Sequence, residues 1–131
     1  MTLIKNSVRA LLRLLLALPV GAFALGLGEI HLFSPVDAPL NAQVDLNDVA
    51  PEKIGTLQVR IASRETYAHY GQKYPSVVVQ AVVVRTADGK AVIQLKSSEP
   101  IHHATLLVEL NWAEGRLVRE YMIPGQVGPG R

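Results

Sequence analysis

The sequence of 131 residues contains no cysteine. That excludes a disulfide framework, a thiolate metal site, a cysteine nucleophile and a lipid-modified cysteine anchor. Aromatic residues are scarce, at 5%, with a single tryptophan, and charged residues make up only 18%. Beyond residue 24 the basic residues are dispersed, so a nucleic-acid partner has no electrostatic footprint. Long apolar runs are missing too. From Leu14 to Gly28 the chain carries no charge, but Pro19, Gly21 and Gly26 interrupt it. A membrane-spanning helix needs about 20 mostly apolar residues.

The motifs of common chemistries are also lacking. There is no G-x-S-x-G elbow, P-loop or dinucleotide glycine pattern. Gly26-Leu27-Gly28 precedes a strand pattern instead of opening a helix, so it cannot cradle a phosphate in the usual way. Asp45, Asn47 and Asp48 lack the glycine and terminal glutamate of a calcium-binding EF-hand loop. His102 and His103 are adjacent, and on a strand they would face opposite ways; His31 and His69 are remote. The expectation is no metal, no cofactor and no enzymatic activity.

What is present begins with an address. Lys5, Arg9 and Arg13 precede the apolar stretch Leu14–Val20, and Ala22-Phe23-Ala24 follows with small residues at the positions a signal peptidase reads. Residues 1–24 therefore read as a secretory signal peptide. The alternative is a retained, tilted anchor. Three of the thirteen Lys and Arg fall in that leader and all eleven Asp and Glu lie beyond it, so residues 25–131 carry a formal charge of −1 against +2 for the whole chain. The reading is an exported, periplasmic domain that does not span the membrane after cleavage, held without disulfides by its own core.

The rest reads as short strands. In Leu40–Leu46 every even position is apolar and every odd one polar, the mark of a half-buried strand. Leu57–Ile61 and Glu29–Leu32 repeat the pattern. Val77–Val84 is apolar except at Gln80 and holds six valines, which predicts a central strand covered on both faces. Asp88-Gly89 predicts a tight hairpin between Val82–Thr86 and Ala91–Ser97, with positive φ angles at the turn. Glu114-Gly115 predicts a second between Thr105–Trp112 and Arg116–Ile123, with Gly115 in the left-handed position. One short helix is expected over Arg64–Tyr70, capped by Ser63 and stopped at Gly71, with Tyr67 and Tyr70 on one face. Residues 47–55 read as an irregular loop, and the Pro/Gly-rich residues 124–131 as a tail. About seven short antiparallel strands and one short helix predict a mainly β fold, a β-sandwich.

Four aromatic side chains are candidate contact residues. Trp112 ends an alternating strand in phase with Leu110 and Val108, which suits a core anchor or an exposed contact. Tyr67, Tyr70 and Tyr74 cluster around the helix, where they pack it onto the sheet or form a platform for a glycan or peptide. Glu109 and Glu120 could meet across the second hairpin, the one arrangement pointing toward carboxylate chemistry.

Several blocks in order carry a resemblance. They are Leu25–Leu32 (LGLGEIHL), Pro39–Leu46 (PLNAQVDL), Leu57–Ser63 (LQVRIAS), Ser98–Ile101 (SEPI), Val108–Trp112 (VELNW) and Gly115–Tyr121 (GRLVREY). Over residues 25–123 the chain resembles the N-terminal domain of the FimV family, bacterial envelope proteins tied to type IV pilus assembly and twitching motility. The resemblance implies a non-enzymatic protein-interaction module whose partners are envelope or pilus-assembly proteins, with peptidoglycan as the alternative partner. Family members typically add a peptidoglycan-binding LysM module, a membrane helix and cytoplasmic repeats. None of those patterns occurs in these residues, so their roles are not transferred. The family offers no catalytic residues for this domain.

Overall fold

The computed structural model describes residues 26–125. Residues 1–24, read above as a leader, and residues 126–131 of the expected tail lie outside the described residues. Seven strands run in chain order: β1 (Gly26–Leu32), β2 (Pro39–Asn47), β3 (Gln58–Ile61), β4 (Val79–Arg85), β5 (Ala91–Pro100), β6 (Ala104–Trp112) and β7 (Gly115–Ile123). One α-helix, α1 (Arg64–His69), and a 3-10 turn, Pro51–Thr56, lie between them. The strands form two antiparallel sheets, β1-β2-β5-β4 and β3-β6-β7. The architecture is the expected β-sandwich.

Alternation puts the core between the sheets. Leu40, Ala42 and Val44 of β2 and Ile93 and Leu95 of β5 meet Leu106, Val108 and Leu110 of β6 and Tyr121 and Ile123 of β7, all buried. Such burial is the main favourable term in folding a domain without cross-links.

The valine-rich segment departs from expectation. Its strand begins at Val79, pairs only with β5 and forms an edge of the four-stranded sheet. Val79, Ala81 and Val83 pack on the core, whereas Val78 is 78% and Val82 53% exposed. The run is apolar through valine's preference for the pleated backbone, not through cover on both faces. The strand covered on both faces is β6, whose residues Leu106 to Leu110 are all buried although Glu109 stands among them. Its apolar–polar alternation concealed this, because the polar side is closed by ion pairs.

Both hairpins form, with different turns from those expected. At Asp88-Gly89 only Gly89 takes positive φ (83°), and Thr86 N–H donates to Lys90 C=O around a three-residue loop. Gly115 is not left-handed. It is opposite Trp112 in the register, and a Cβ there would sit 3.0 Å from the indole ring. Ring proximity, not φ, requires glycine. The helix forms as read: Ser63 Oγ accepts from Thr66 N–H at 3.2 Å, and Gly71 leaves the helix at φ 68°. The loop at 47–55 is partly ordered by the 3-10 turn, in which Pro51 sits at the start and Ile54 is buried.

Candidate functional site

The four aromatic candidates do not form one surface. Tyr67 is buried, 1% exposed, under α1 with Leu107 and Ala62. Beside it, β3 diverges from β6 after Ala62 N–H donates to Leu107 C=O. The Tyr67 hydroxyl then replaces the departed strand, donating to Thr105 C=O at 3.1 Å and accepting from Leu107 N–H at 2.8 Å. Burial raises its pKa, so it stays a protonated donor. Tyr74 packs edge-on against Tyr67, 5.0 Å between centroids, and Arg64 lies 4.2 Å over the Tyr74 ring. Tyr70 is 44% exposed, beside His69, and does not share Tyr67's environment. It follows the last residue of a helix of six, so its ring leaves the sheet. Trp112 is half-buried against the core.

The structure assembles a polar cluster that no spacing in the sequence displays. On the outer face of the three-stranded sheet, Arg60 of β3 is opposite Glu109 of β6, and Arg116 of β7 is opposite Asn111. Glu109 is buried, with Arg60 Nε donating to Oε2 at 2.9 Å, Asn111 Nδ2 to Oε2 at 2.8 Å and Arg116 Nη2 to Oε1 at 2.8 Å. Burial by itself would raise this carboxyl's pKa. The hydrogen bonds from Asn111, Arg116 and Arg60 outweigh it, and the pKa lies below its ordinary 4.5. The arginine side chains remain 62% and 51% exposed. Residues dispersed in sequence thus converge through register alone.

Beyond Arg116 lies an open groove of about 610 Å³ between α1 and β7, lined by Glu65, Thr66, His69, Tyr70, Arg116 and Val118. Glu120 is on the same face as Glu109, opposite Leu107, and accepts a long bond from Gln72 at 3.5 Å. Glu109 is ionised and saturated with donors, which is the reverse of what a general acid needs.

A second cluster ties the sheets together. The pairing of β1 with β2 shifts register between Leu27 and Ile30. There the Leu27 and Gly28 carbonyls accept from Arg119 Nη1 at 2.6 and 2.9 Å, and Gly28 C=O also accepts from Tyr121 Oη at 2.6 Å. A side chain at Gly28 would meet Asp45 Cβ at 3.0 Å and the Asn47 amide at 3.1 Å. Strand β1 thus supplies the bulge and β7 its donors. The polar cluster around Glu109 likewise joins β3, β6 and β7.

The histidines lie apart. His31 Nε2 is 3.0 Å from Asp45 Oδ2, and His102 Nδ1 is 2.7 Å from Asp37 Oδ1. Among the described residues no three His, Asp or Glu side chains converge as metal ligands, and no helix is long and apolar enough to cross a membrane.

Comparison with known proteins agrees with this geometry. The family model described as the FimV N-terminal domain, an Ig-like domain, matches residues 25–125. The motility hub protein FimV from two strains of Pseudomonas aeruginosa is 36% identical to the chain over 106 residues, which covers 78% of this chain and 12% of each relative. The chain thus spans about an eighth of the length of these curated relatives. No solved structure matches it. With the sandwich, the family model and the relatives in agreement, the chain belongs to the FimV N-terminal domain family.

Proposed function

We propose that this domain is a non-enzymatic protein-interaction module of the bacterial cell envelope, exported by its leader to the periplasm, where it docks onto components of type IV pilus assembly or twitching motility. Membership of the FimV N-terminal family and the motility-hub name of its relatives support the setting. The observation that carries the interaction reading is β4. It is an edge strand of seven residues without proline or lysine; it exposes Val82, and Val78 is exposed just ahead of it. Edge strands are normally blunted by lysine, proline or bulges, because their free backbone groups accept a further strand. Its one charge, Arg85, sits at the strand's end and donates to Pro51 C=O, and an edge of this kind is suited to strand addition by a partner, with main-chain bonds giving affinity and alternate side chains giving specificity. The alternative, glycan binding, lacks a paired aromatic platform among the described residues: Tyr67 is buried and Tyr70 stands apart from it.

Photo-crosslinking in cells tests this. A photoreactive residue at Val78 or Val82 is expected to capture an envelope protein of the pilus machinery, while one at Lys90 captures none. Equal capture at all three positions, or capture of peptidoglycan alone, would sink the reading.

A further inference from the structure

We infer that Arg60 and Arg116 form a carboxylate-binding site for an acidic peptide segment of a partner, on the sheet opposite the β4 edge. Three observations carry it. First, the buried carboxylate of Glu109 holds both guanidinium groups in place while leaving more than half of each side chain exposed. Two positive charges surround one negative charge, so the cluster keeps a formal surplus of one.

Second, the bonds to Glu109 leave much of each fork open. Arg60 donates to Glu109 only through Nε. Arg116 uses Nη2, for Glu109 and for Thr66 Oγ1 at 3.4 Å. A guanidinium presents five N–H donors in a fixed plane, matched to the two oxygens of a carboxylate. Arginines already immobilised lose little further rotamer freedom on binding, and that loss is a main cost of recognising a charged group.

Third, the site continues into the groove beside α1, where Val118 and the exposed Tyr70 ring offer apolar seats next to Arg116. Glu65 is on the same groove wall. It repels a second acid placed there and favours an acid flanked by apolar residues. A free small anion would use the arginines but not these seats. The two ion pairs cross-link the three strands; the open donors and the adjoining groove are what a ligand site adds.

The probe is an acetylated, amidated hexapeptide of alternating glutamate and leucine, titrated into the isotope-labelled chain and followed by NMR, with a lysine–leucine peptide as control. Saturable shifts are expected at the Arg60 and Arg116 Nε signals and at the Asn111 and Val118 amides. The affinity should fall with added salt, as exposed charges are screened. Arg60→Gln keeps a donor for Glu109 but removes the charge, and should weaken binding about tenfold, the effect of one modest charge-assisted contact. Arg60→Lys covers the case in which the glutamine variant unfolds. It keeps the charge and should still weaken binding, because an ammonium cannot span both carboxylate oxygens. Shifts confined to other residues, equal binding of the lysine peptide, binding of acetate with the same affinity, or unchanged affinity in both variants would each overturn the inference. The titration reads Arg60 and Arg116 and the crosslinking reads Val78 and Val82, so the two experiments fail independently.

Discussion

The two sheets of this sandwich share one core but finish their outer faces differently. The four-stranded sheet buries its inner face and leaves Gln80, Val82 and Lys96 exposed on the outer one, with β4 at one edge beside β3 of the other sheet. The three-stranded sheet is narrower and locked from outside. Tyr67 caps the edge of β6 where β3 departs, and Glu109 cross-links β3, β6 and β7 through two arginines. Fewer strands give fewer ladder bonds, and the smaller sheet makes up the difference with side-chain bonds. That division leaves one sheet free to offer an edge and gives the other a fixed set of charges.

The largest expected effect strikes the lock on the smaller sheet. Tyr67→Phe removes the hydroxyl serving the buried Leu107 N–H and the part-buried Thr105 C=O and should cost about 2–4 kcal/mol, since each orphaned group incurs its desolvation penalty. Urea unfolding measures it; a loss well under about 1 kcal/mol would mean that the hydroxyl is not the edge partner of β6. Next is the tie between sheets. Gly28→Ala forces a methyl group against Asp45 and should lower stability by about 1–3 kcal/mol, read as a drop in Tm.

Acid separates the sheets by charge. Glu109 has a lowered pKa in the folded state, so its contribution is fully present above the unfolded value of 4.5 and is lost as pH falls through the folded pKa. Acidification below about pH 4.5 should therefore loosen the three-stranded sheet. Glu109→Gln should flatten that acid limb and cost about 1 kcal/mol at neutral pH, a figure reduced for the exposure of both arginines. Unfolding measured from pH 7 to pH 3 checks both points.

Smaller effects belong to the open sheet. Val82→Thr should change stability by less than about 0.5 kcal/mol, as expected of an exposed position, and an unchanged urea midpoint would show it. His31 is the mildest case. Its hydrogen bond to Asp45, and the charge of that carboxylate, raise its pKa above 6.5. The contribution is present below 6.5 and fades as pH rises through the folded value. An NMR titration of the imidazole should show the raised midpoint, and Asp45→Asn should return it toward normal.

Much of the fold was legible because period-two alternation and turn chemistry act locally. Leu40–Leu46, Leu57–Ile61 and the Asp88-Gly89 hairpin announce their roles in a few residues, and Ser63 announces the helix start. The valine run misled because apolarity is compatible with both a central strand and an unblunted edge. Tyr67 and Tyr70 share a helix spacing, yet only one is buried, since a six-residue helix ends before the second can return to the sheet. The arginine site was hidden for a different reason. Arg60, Glu109 and Arg116 are far apart or in separate strands, and polar alternation by itself marks them only as solvent-facing.

By itself, the sequence determined the sign of the charge beyond residue 24, the absence of cysteine chemistry, the number of strands among the described residues and the family. Each rests on residue identity or near-neighbour spacing, which the chain carries unfolded. Only the tertiary structure decided which strand lies at an edge, which polar residue is buried and which arginines meet. Those depend on strand order and register, and register sets cross-strand neighbours through contacts between residues distant in the chain.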